Sequence, residues 1–460
     1  MMERSFPLPV HVDIRISSGT NPSSSSANGY HPLAASELLF VASRIRTLRL
    51  AGLRSDILHV LNRLRSPSSK LETLSLSIYD SGGPSVYLPA SLFGGNDKAA
   101  PNLHRLAFAT DTCIRAPLWL LGGITDFTTG ADMTLLELLE TLRAMPQLQI
   151  LRVQHCRAAW DEDAARLEGG PVTLPHLRLV SFRDTTPRRF VLLIPRIDAP
   201  PTVRRHLFWR SWAVASWERW SGMLNAMRAF IPRDSVFGAR DGGLCAARVM
   251  GGPARGSFSV WSRSAAASGW GGEGEVDALF LFRIDWKGSP VDPRGETTLL
   301  EHSSPFFHLG GLCTHLPAMR VEHLTIEPEP EQAVNTPTVH WESLLRALGS
   351  VQSLRLGKRI GISSTLLHIV VSASDTVLPH LQKLYIVQCE VRCAAQVPQD
   401  GVVPWNLTRF GHAGPGRGVG NELVTLVRGR VGLEVVLVDC GVDEETLDEL
   451  RKHAQVSVEE

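Results

Sequence analysis

The sequence predicts an α/β solenoid, a horseshoe of stacked units with short parallel strands on the concave face and helices or irregular segments outside. Three observations predict it. An LxxLxL pattern recurs along the chain, segments of helical periodicity fall between its copies, and cysteines occupy one slot just after it.

The pattern comes first. It reads Ile45-Leu48-Leu50, Leu71-Leu74-Leu76, Leu103-Leu106-Phe108, Leu148-Leu151-Val153 and Leu177-Val180-Phe182, with a weaker copy at Ile124-Phe127. It resumes at Val321-Leu324-Ile326, Val351-Leu354-Leu356, Leu381-Leu384-Ile386 and Leu407-Phe410. Starts are 26, 32, 21, 24 and 29 residues apart in the first block and 30, 30 and 26 in the second. That spacing fits a leucine-rich repeat, whose strand turns its leucines inward while the residues between them face outward. A single unit leaves an apolar face exposed, and stacking is what covers it.

The crossovers come second. Arg54 to Leu64, Thr134 to Met145, His340 to Leu348 and Asn421 to Arg430 suit outer helices, and Pro146 stops the second of these. Asp443 to His453, with Glu444, Glu445, Asp448 and Glu449, suits a polar terminal cap. The slot comes third. Cys156 follows Val153, Cys389 follows Ile386 and Cys440 follows Leu437 at the position whose side chain bonds the turn backbone. These three of the seven cysteines thereby have a structural reading as small buried side chains.

Four regions follow: an entry segment over 1–44 with a serine-rich stretch, repeats over 45–197, a middle region over 198–276, and repeats with a cap over 277–460. The middle opens on Arg204, Arg205, Trp209, Trp212, Trp217 and Trp220, and Trp217 to Phe230 has the spacing of one apolar helix face. Such a helix serves a core or an interface; the alternative is an aromatic and arginine platform for a partner. The glycine-rich stretch Met250 to Glu275 reads as an exposed insertion or loop, and Ala278 to Ile284 as a buried strand that resumes the solenoid.

Composition excludes more than it selects. Of 460 residues 43% are hydrophobic and 20% charged, with a formal charge of +1, so no global field recruits nucleic acid or an acidic membrane. The scattered cysteines lack paired zinc spacing, and the economical reading is thiols in a reducing compartment. Neither a signal peptide nor an apolar run of about 18 residues is evident, so a cytoplasmic or nuclear location is expected.

Several segments resemble F-box proteins of mushroom-forming fungi, whose C-terminal region is a leucine-rich-repeat array. They are Met2 to Ile14 (MERSFPLPVHVDI), Arg44 to Leu50, Tyr87 to Gly95 (YLPASLFGG), Pro101 to Phe108, Phe182 to Phe190 (FRDTTPRRF) and His206 to Trp220 (HLFWRSWAVASWERW). The last two are the more specific. The resemblance implies a substrate-recognition part of a cullin-type ubiquitin ligase. Its F-box, about forty residues long, would precede Met2 and would bind a Skp-type adaptor; no residue between Met1 and Arg44 has that helical pattern. The alternative is a repeat scaffold without an F-box or a ubiquitin role.

Catalytic chemistry is sought without success. Gly414 to Gly420 with Asp439 invites a dinucleotide loop and so a nucleotide-binding enzyme, a remote alternative, since Pro415 and Gly418 break GxGxxG. His302, His308 and His315 with Cys313 are weak metal spacing among sixteen histidines, and GxSxG is absent. No enzyme activity, cofactor or metal is expected.

The candidate site is the concave face, which carries Thr47, Arg49, Thr73, Ser75, Arg105, Arg152, Ser181, His323, Thr325, Ser353, Arg355, Lys383, Tyr385 and Arg409. Arg49, Arg152 and Arg355 share one repeat position and Arg105, Lys383 and Arg409 its neighbour, with no acid at either position in those units. Arg49, Arg105, Arg152, Arg355, Lys383, Tyr385 and Arg409 are therefore expected to bind a protein segment that is acidic or phosphorylated. The plainer alternative is a solvated polar face.

Overall fold

In the computed structural model, residues 9–15, 42–79, 85–96, 98–109, 113–130, 133–154, 170–183, 192–200, 202–211, 244–251, 255–262, 280–286, 321–328, 338–357, 367–371, 376–391 and 419–459 are described. The chain divides into two compact units, Met1–Leu207 and Phe208–Glu460.

The first unit is built on a parallel sheet whose strands lie in chain order. These are β1 (Val10–Arg15), β2 (Ile45–Gly52), β3 (Thr73–Ile78), β4 (Arg105–Phe108), β5 (Asp126–Thr129), β6 (Ile150–Gln154) and β7 (Leu179–Arg183). The next strand, β8 (Arg204–Ser211), contains the boundary between the units at Leu207. The LxxLxL pattern explains the stacking. Leu48, Leu74, Leu106, Phe127, Leu151 and Val180 stand in one register row. Each is buried, as are Ile45, Leu71, Leu103, Ile124, Leu148 and Leu177 at the first position of the pattern. Phe108 meets Phe127 edge-on at 5.9 Å between ring centroids, so the short fourth unit is a full member of the stack.

β1 precedes the first leucine pattern, inside the segment read as an entry. Val10, Val12 and Ile14 alternate with exposed His11, Asp13 and Arg15, and that period of two pairs the segment parallel to β2.

Crossovers in this unit are helical or turn-like. In α1 (Arg54–Arg63) Ile57, Val60 and Leu61 are buried. A single turn, α2 (Leu118–Leu121), comes next, and then α3 (Leu135–Arg143), which starts in a capping box. The Thr134 hydroxyl accepts from the Glu137 amide at 3.2 Å, and the Glu137 carboxylate accepts from the Thr134 amide at 2.9 Å. Leu135, Leu138, Leu139 and Leu142 form its buried face. The turn after Pro89 needs glycine: Gly95 has φ +69°, and a Cβ there would lie 2.6 Å from the Ala90 carbonyl oxygen.

In the second unit β9 (Leu244–Gly251), β10 (Arg255–Ser262) and β11 (Phe280–Trp286) form an antiparallel meander. β9 then pairs parallel with β12 (His323–Pro328), and a parallel ladder continues through β13 (Ser353–Gly357), β14 (Lys383–Val387), β15 (Glu434–Val438) and β16 (Gln455–Glu459). One expectation changes here: the glycine-rich stretch read as a loop contains β10. The ALFLFRI segment does form a strand of the sheet, β11, and it pairs antiparallel to β10. Its expected neighbour, the Trp217 to Phe230 helix, lies outside the described residues.

The helices here match the predicted spans: α4 (Thr338–Ala347) with Trp341 buried, α5 (Val419–Gly429), and α6 (Glu444–Arg451). Asp443 caps α6 by accepting from the Thr446 amide at 2.7 Å. Opposite charges then join the last helices: Glu449 pairs with Arg428 of α5 and with Lys452 at 2.7 Å, which pulls its carboxyl down to about 2.

Candidate functional site

Because side chains alternate along a strand, burying the leucine rows leaves the residues between them on the opposite, polar face of each sheet. In the first unit one such row runs Thr47, Thr73, Arg105, Asp126, Ile150, Leu179, and the next runs Asp13, Arg49, Ser75, Ala107, Thr128, Arg152, Ser181. Arg49, Arg105 and Arg152 thus stand on the face where the pattern placed them.

The electrostatics differ from the expectation. Asp126, in the weaker fourth unit, falls in register beside Arg105 and diagonal to Arg152. Arg105 donates from Nε at 2.9 Å and from Nη2 at 2.8 Å to one Asp126 oxygen, and Arg152 donates from Nη1 at 2.5 Å to the other. The Asp126 side chain is only 10% exposed, whereas those of Arg105 and Arg152 are 51% and 28% exposed. A nearly buried carboxylate therefore holds two guanidinium groups side by side at the surface. Arg49 is exposed and joins no ion pair among the described residues, although Asp13 is its register partner.

The second unit has its own rows: Ala246, His323, Ser353, Lys383, Glu434, Gln455, and Arg248, Thr325, Arg355, Tyr385, Val436, Ser457. Lys383 pairs with Glu434 at 2.7 Å and lies 5.2 Å from the centre of the Tyr385 ring. The hydrogen bond to Glu434 raises the Lys383 ammonium above its ordinary range. Arg355 stands between Thr325 and Tyr385 and is half-buried. Arg409 lies outside the described residues.

The same rows carry acids from neighbouring units, Asp126 beside Arg105 in the first unit and Glu434 beside Lys383 in the second. Both acids were open to the same reasoning. Each directly precedes an inward residue, Phe127 or Val435, that stands where the pattern has its second leucine. The weak pattern hid the carboxylates.

The turn cysteines have the geometry expected of their slot. Cys389 Sγ lies 3.3 Å from the Val387 carbonyl oxygen, and Cys440 Sγ lies 3.2 Å from that of Ile386 and 3.3 Å from that of Val438. Burial pushes the Cys440 thiol up, which keeps it protonated and donating. Gln388 and Asp439, just before the two cysteines, share left-handed φ values of 52° and 49°. The turn therefore repeats from one unit to the next. Cys156 lies outside the described residues.

A second polar cluster sits where Val86–Tyr87 pairs with Ile114–Arg115. Arg115 is ion-paired with Glu137 and lies 5.5 Å from the centre of the Tyr87 ring, while Cys113 Sγ is 3.7 Å from a Glu137 oxygen. Burial, followed by the negative charge of Glu137, raises the Cys113 thiol. A thiol held protonated in this way is a poor nucleophile. The cluster joins the α3 cap to the neighbouring crossover.

Burial pushes the Arg205 guanidinium down to about 10. The histidine and cysteine group between His302 and His315 and the glycines from Gly414 to Gly418 lie outside the described residues. No group of metal-binding side chains occurs among the described residues, and no helix among them is long and apolar enough to cross a membrane.

Each unit is thus a mostly parallel α/β sheet made from recurring LxxLxL segments, with one apolar and one polar face. No protein-family model and no curated protein matches the chain. Among solved structures it is similar to the crystal structure of the TLR13-ssRNA13 complex, at 9% identity and a TM-score of 0.29 over 85% of this chain. The chain covers 39% of the length of that structure.

Proposed function

We propose that the chain is a leucine-rich-repeat solenoid that acts as a protein-binding module in the cytoplasm or nucleus, with catalysis left to other proteins. The observation that carries this reading is the division of labour within each repeat. The leucine rows are buried, and successive strands set the intervening polar side chains into rows across the sheet. Repeat surfaces of this kind bind through exposed side chains that can vary without cost to the core. The segments that resemble fungal F-box proteins extend the reading to the substrate-recognition part of a cullin-type ubiquitin ligase. In that role the bound protein would be an acidic or phosphorylated substrate, and a Skp-type adaptor would dock on an F-box outside the matching region.

The test is affinity purification of the tagged chain from cells of its source, beside a variant with Ser75→Trp and Tyr385→Trp on the polar faces. Loss of specific partners from the variant is expected, and identical partners on both would refute polar-face binding. Adaptor and cullin in the wild-type complex would support the ligase role; their absence would favour a repeat scaffold with no ubiquitin role.

A further inference from the structure

We infer that the polar face of the first unit is a two-point site for an extended acidic peptide, with the Arg105–Asp126–Arg152 cluster as one anchor and Arg49 as the other. This rests on the binding-module reading and adds to it a place, a ligand chemistry and a spacing.

The first anchor is organised before any ligand arrives. Asp126 takes up Nε and Nη2 of Arg105 on one oxygen and Nη1 of Arg152 on the other. That leaves Nη1 of Arg105, and Nε and Nη2 of Arg152, without an ion-pair partner among the described residues, and a guanidinium has five N–H donors to use. Holding two long side chains in one geometry removes the rotamer freedom that binding would otherwise have to restrict. The carboxylate cancels one of the two positive charges, so the cluster retains one. A single carboxylate of a glutamate or aspartate neutralises it, and charge-assisted hydrogen bonds from two guanidinium groups give it direction.

The second anchor lies in the same row as Arg152. Between them stand Ser75, Ala107 and Thr128, one per strand. With strands about 4.8 Å apart, the four steps from β2 to β6 span about 19 Å. A peptide running across the strands in extended form advances about 3.4 Å per residue, so the anchors fall about six residues apart. An even number matters, because side chains at i and i+6 of an extended chain point the same way. The small side chains between the anchors leave room for the peptide backbone, and the hydroxyls of Ser75 and Thr128 can meet its polar groups.

Charge calls for an acidic ligand, and composition favours a peptide over a nucleic acid. The rows of this face carry Arg15, Arg49, Arg105, Arg152 and Arg183 against Asp13 and Asp126, an excess of positive charge that suits an acidic chain. Among the described residues these rows from β1 to β7 carry one aromatic ring, His11 at the β1 edge, where a single-stranded nucleic acid would use a succession of them.

The experiment uses the purified full chain and fluorescent twelve-residue Gly/Ser peptides carrying two glutamates six, five or three apart, read by fluorescence anisotropy at 150 mM salt. The six-apart peptide should bind at least fivefold more tightly than the others. Arg152→Ala and Arg49→Ala should each weaken it about tenfold, and Arg152→Lys, which keeps the charge and loses the fork, should weaken it severalfold. Asp126→Asn separates positioning from net charge: the variant is more positive, yet it should bind less tightly. Circular dichroism and thermal melts establish that each variant is folded, and exposed Arg49 gives a substitution outside the buried pair.

Equal binding at all spacings, an unchanged Arg152→Ala, or tighter binding by Asp126→Asn would each overturn the inference. So would displacement of the peptide by a single-stranded oligonucleotide at equal concentration. These results would leave intact a polar-face-dependent capture of cellular partners, so failure of this site and failure of the binding-module reading are separate outcomes.

Discussion

Arg152 on β6 reaches across to β5 and places Nη1 2.5 Å from Oδ1 of Asp126, a residue 26 positions earlier in the chain. The contact exists because Asp126 is register partner of Ile150, which puts Arg152 two residues further along the adjacent strand. It joins two repeats by charge where their leucines join them by packing.

Removing the carboxylate should therefore cost stability. Asp126→Ala is expected to lower the urea unfolding free energy by about 1–3 kcal/mol, the range for charge-assisted hydrogen bonds lost near a buried carboxylate. Because Arg152 would already have lost its partner, the double variant Asp126→Ala with Arg152→Ala should lose less than the sum of the singles. Strict additivity would show that the contact contributes nothing.

The two faces of one strand should respond in opposite ways. Leu106 is fully buried, and Leu106→Ala should cost about 2–5 kcal/mol through lost contacts and a cavity. Ala107, its neighbour on the polar face, should accept serine within about 0.5 kcal/mol. Thermal melts of the two variants would check this, and equal losses would contradict the assignment of faces.

Backbone strain gives a pair of opposed substitutions. Gly95→Ala should destabilise, since a Cβ would lie 2.6 Å from the Ala90 carbonyl oxygen in a left-handed residue. Gln388→Gly should stabilise by about 1 kcal/mol, because a non-glycine residue at φ 52° pays a left-handed penalty of that order. The urea midpoints of the two variants should move in opposite directions.

Acid should weaken the α3 cap. Burial opposes ionisation of Glu137, but hydrogen bonds from the Thr134 backbone, from Arg115 and from the Thr134 hydroxyl outweigh it and hold the carboxyl below its ordinary range. A lowered folded value means that its stabilisation is complete above the unfolded carboxylate range, about pH 4.3, and is lost as pH falls through the folded value. Melting temperatures from pH 6 to pH 3 should fall more steeply for the wild type than for Glu137→Gln. Parallel curves would remove Glu137 from the account.

Thiol reactivity should track burial. The Cys440 thiol is raised by burial and hydrogen-bonded to carbonyls, so it should alkylate far more slowly at pH 8 in the native chain than in urea. Peptide mapping after iodoacetamide treatment would check it, and rapid native labelling of Cys440 would contradict the turn geometry.

Much of the fold could be read from the sequence because its signal is local. A period of two in LxxLxL assigns each residue to a face without knowledge of its neighbours, and the rows from Leu48 to Val180 are buried accordingly. The helices at Arg54, Thr134, His340, Asn421 and Asp443 followed from periodicity and caps in the same way. β1 was harder, since three alternating apolar residues without a leucine resemble any extended segment until β2 pairs with them. The antiparallel meander of the second unit was out of reach: strand direction is a property of a pair, and the glycine-rich residues before β10 carry no sign of it.

The sequence by itself determined which of the two faces each strand residue takes, because alternation along a strand is a matter of adjacent residues. Only the tertiary structure decided what the emerging charges do. Arg105 meets Asp126 across 21 residues and Lys383 meets Glu434 across 51, and both contacts depend on how far each crossover carries the chain before the next strand begins. Crossover length sets register, and register turned rows of cations into paired and unpaired ones. Arg49 kept its charge exposed while Arg105 and Arg152 were drawn together around one nearly buried carboxylate.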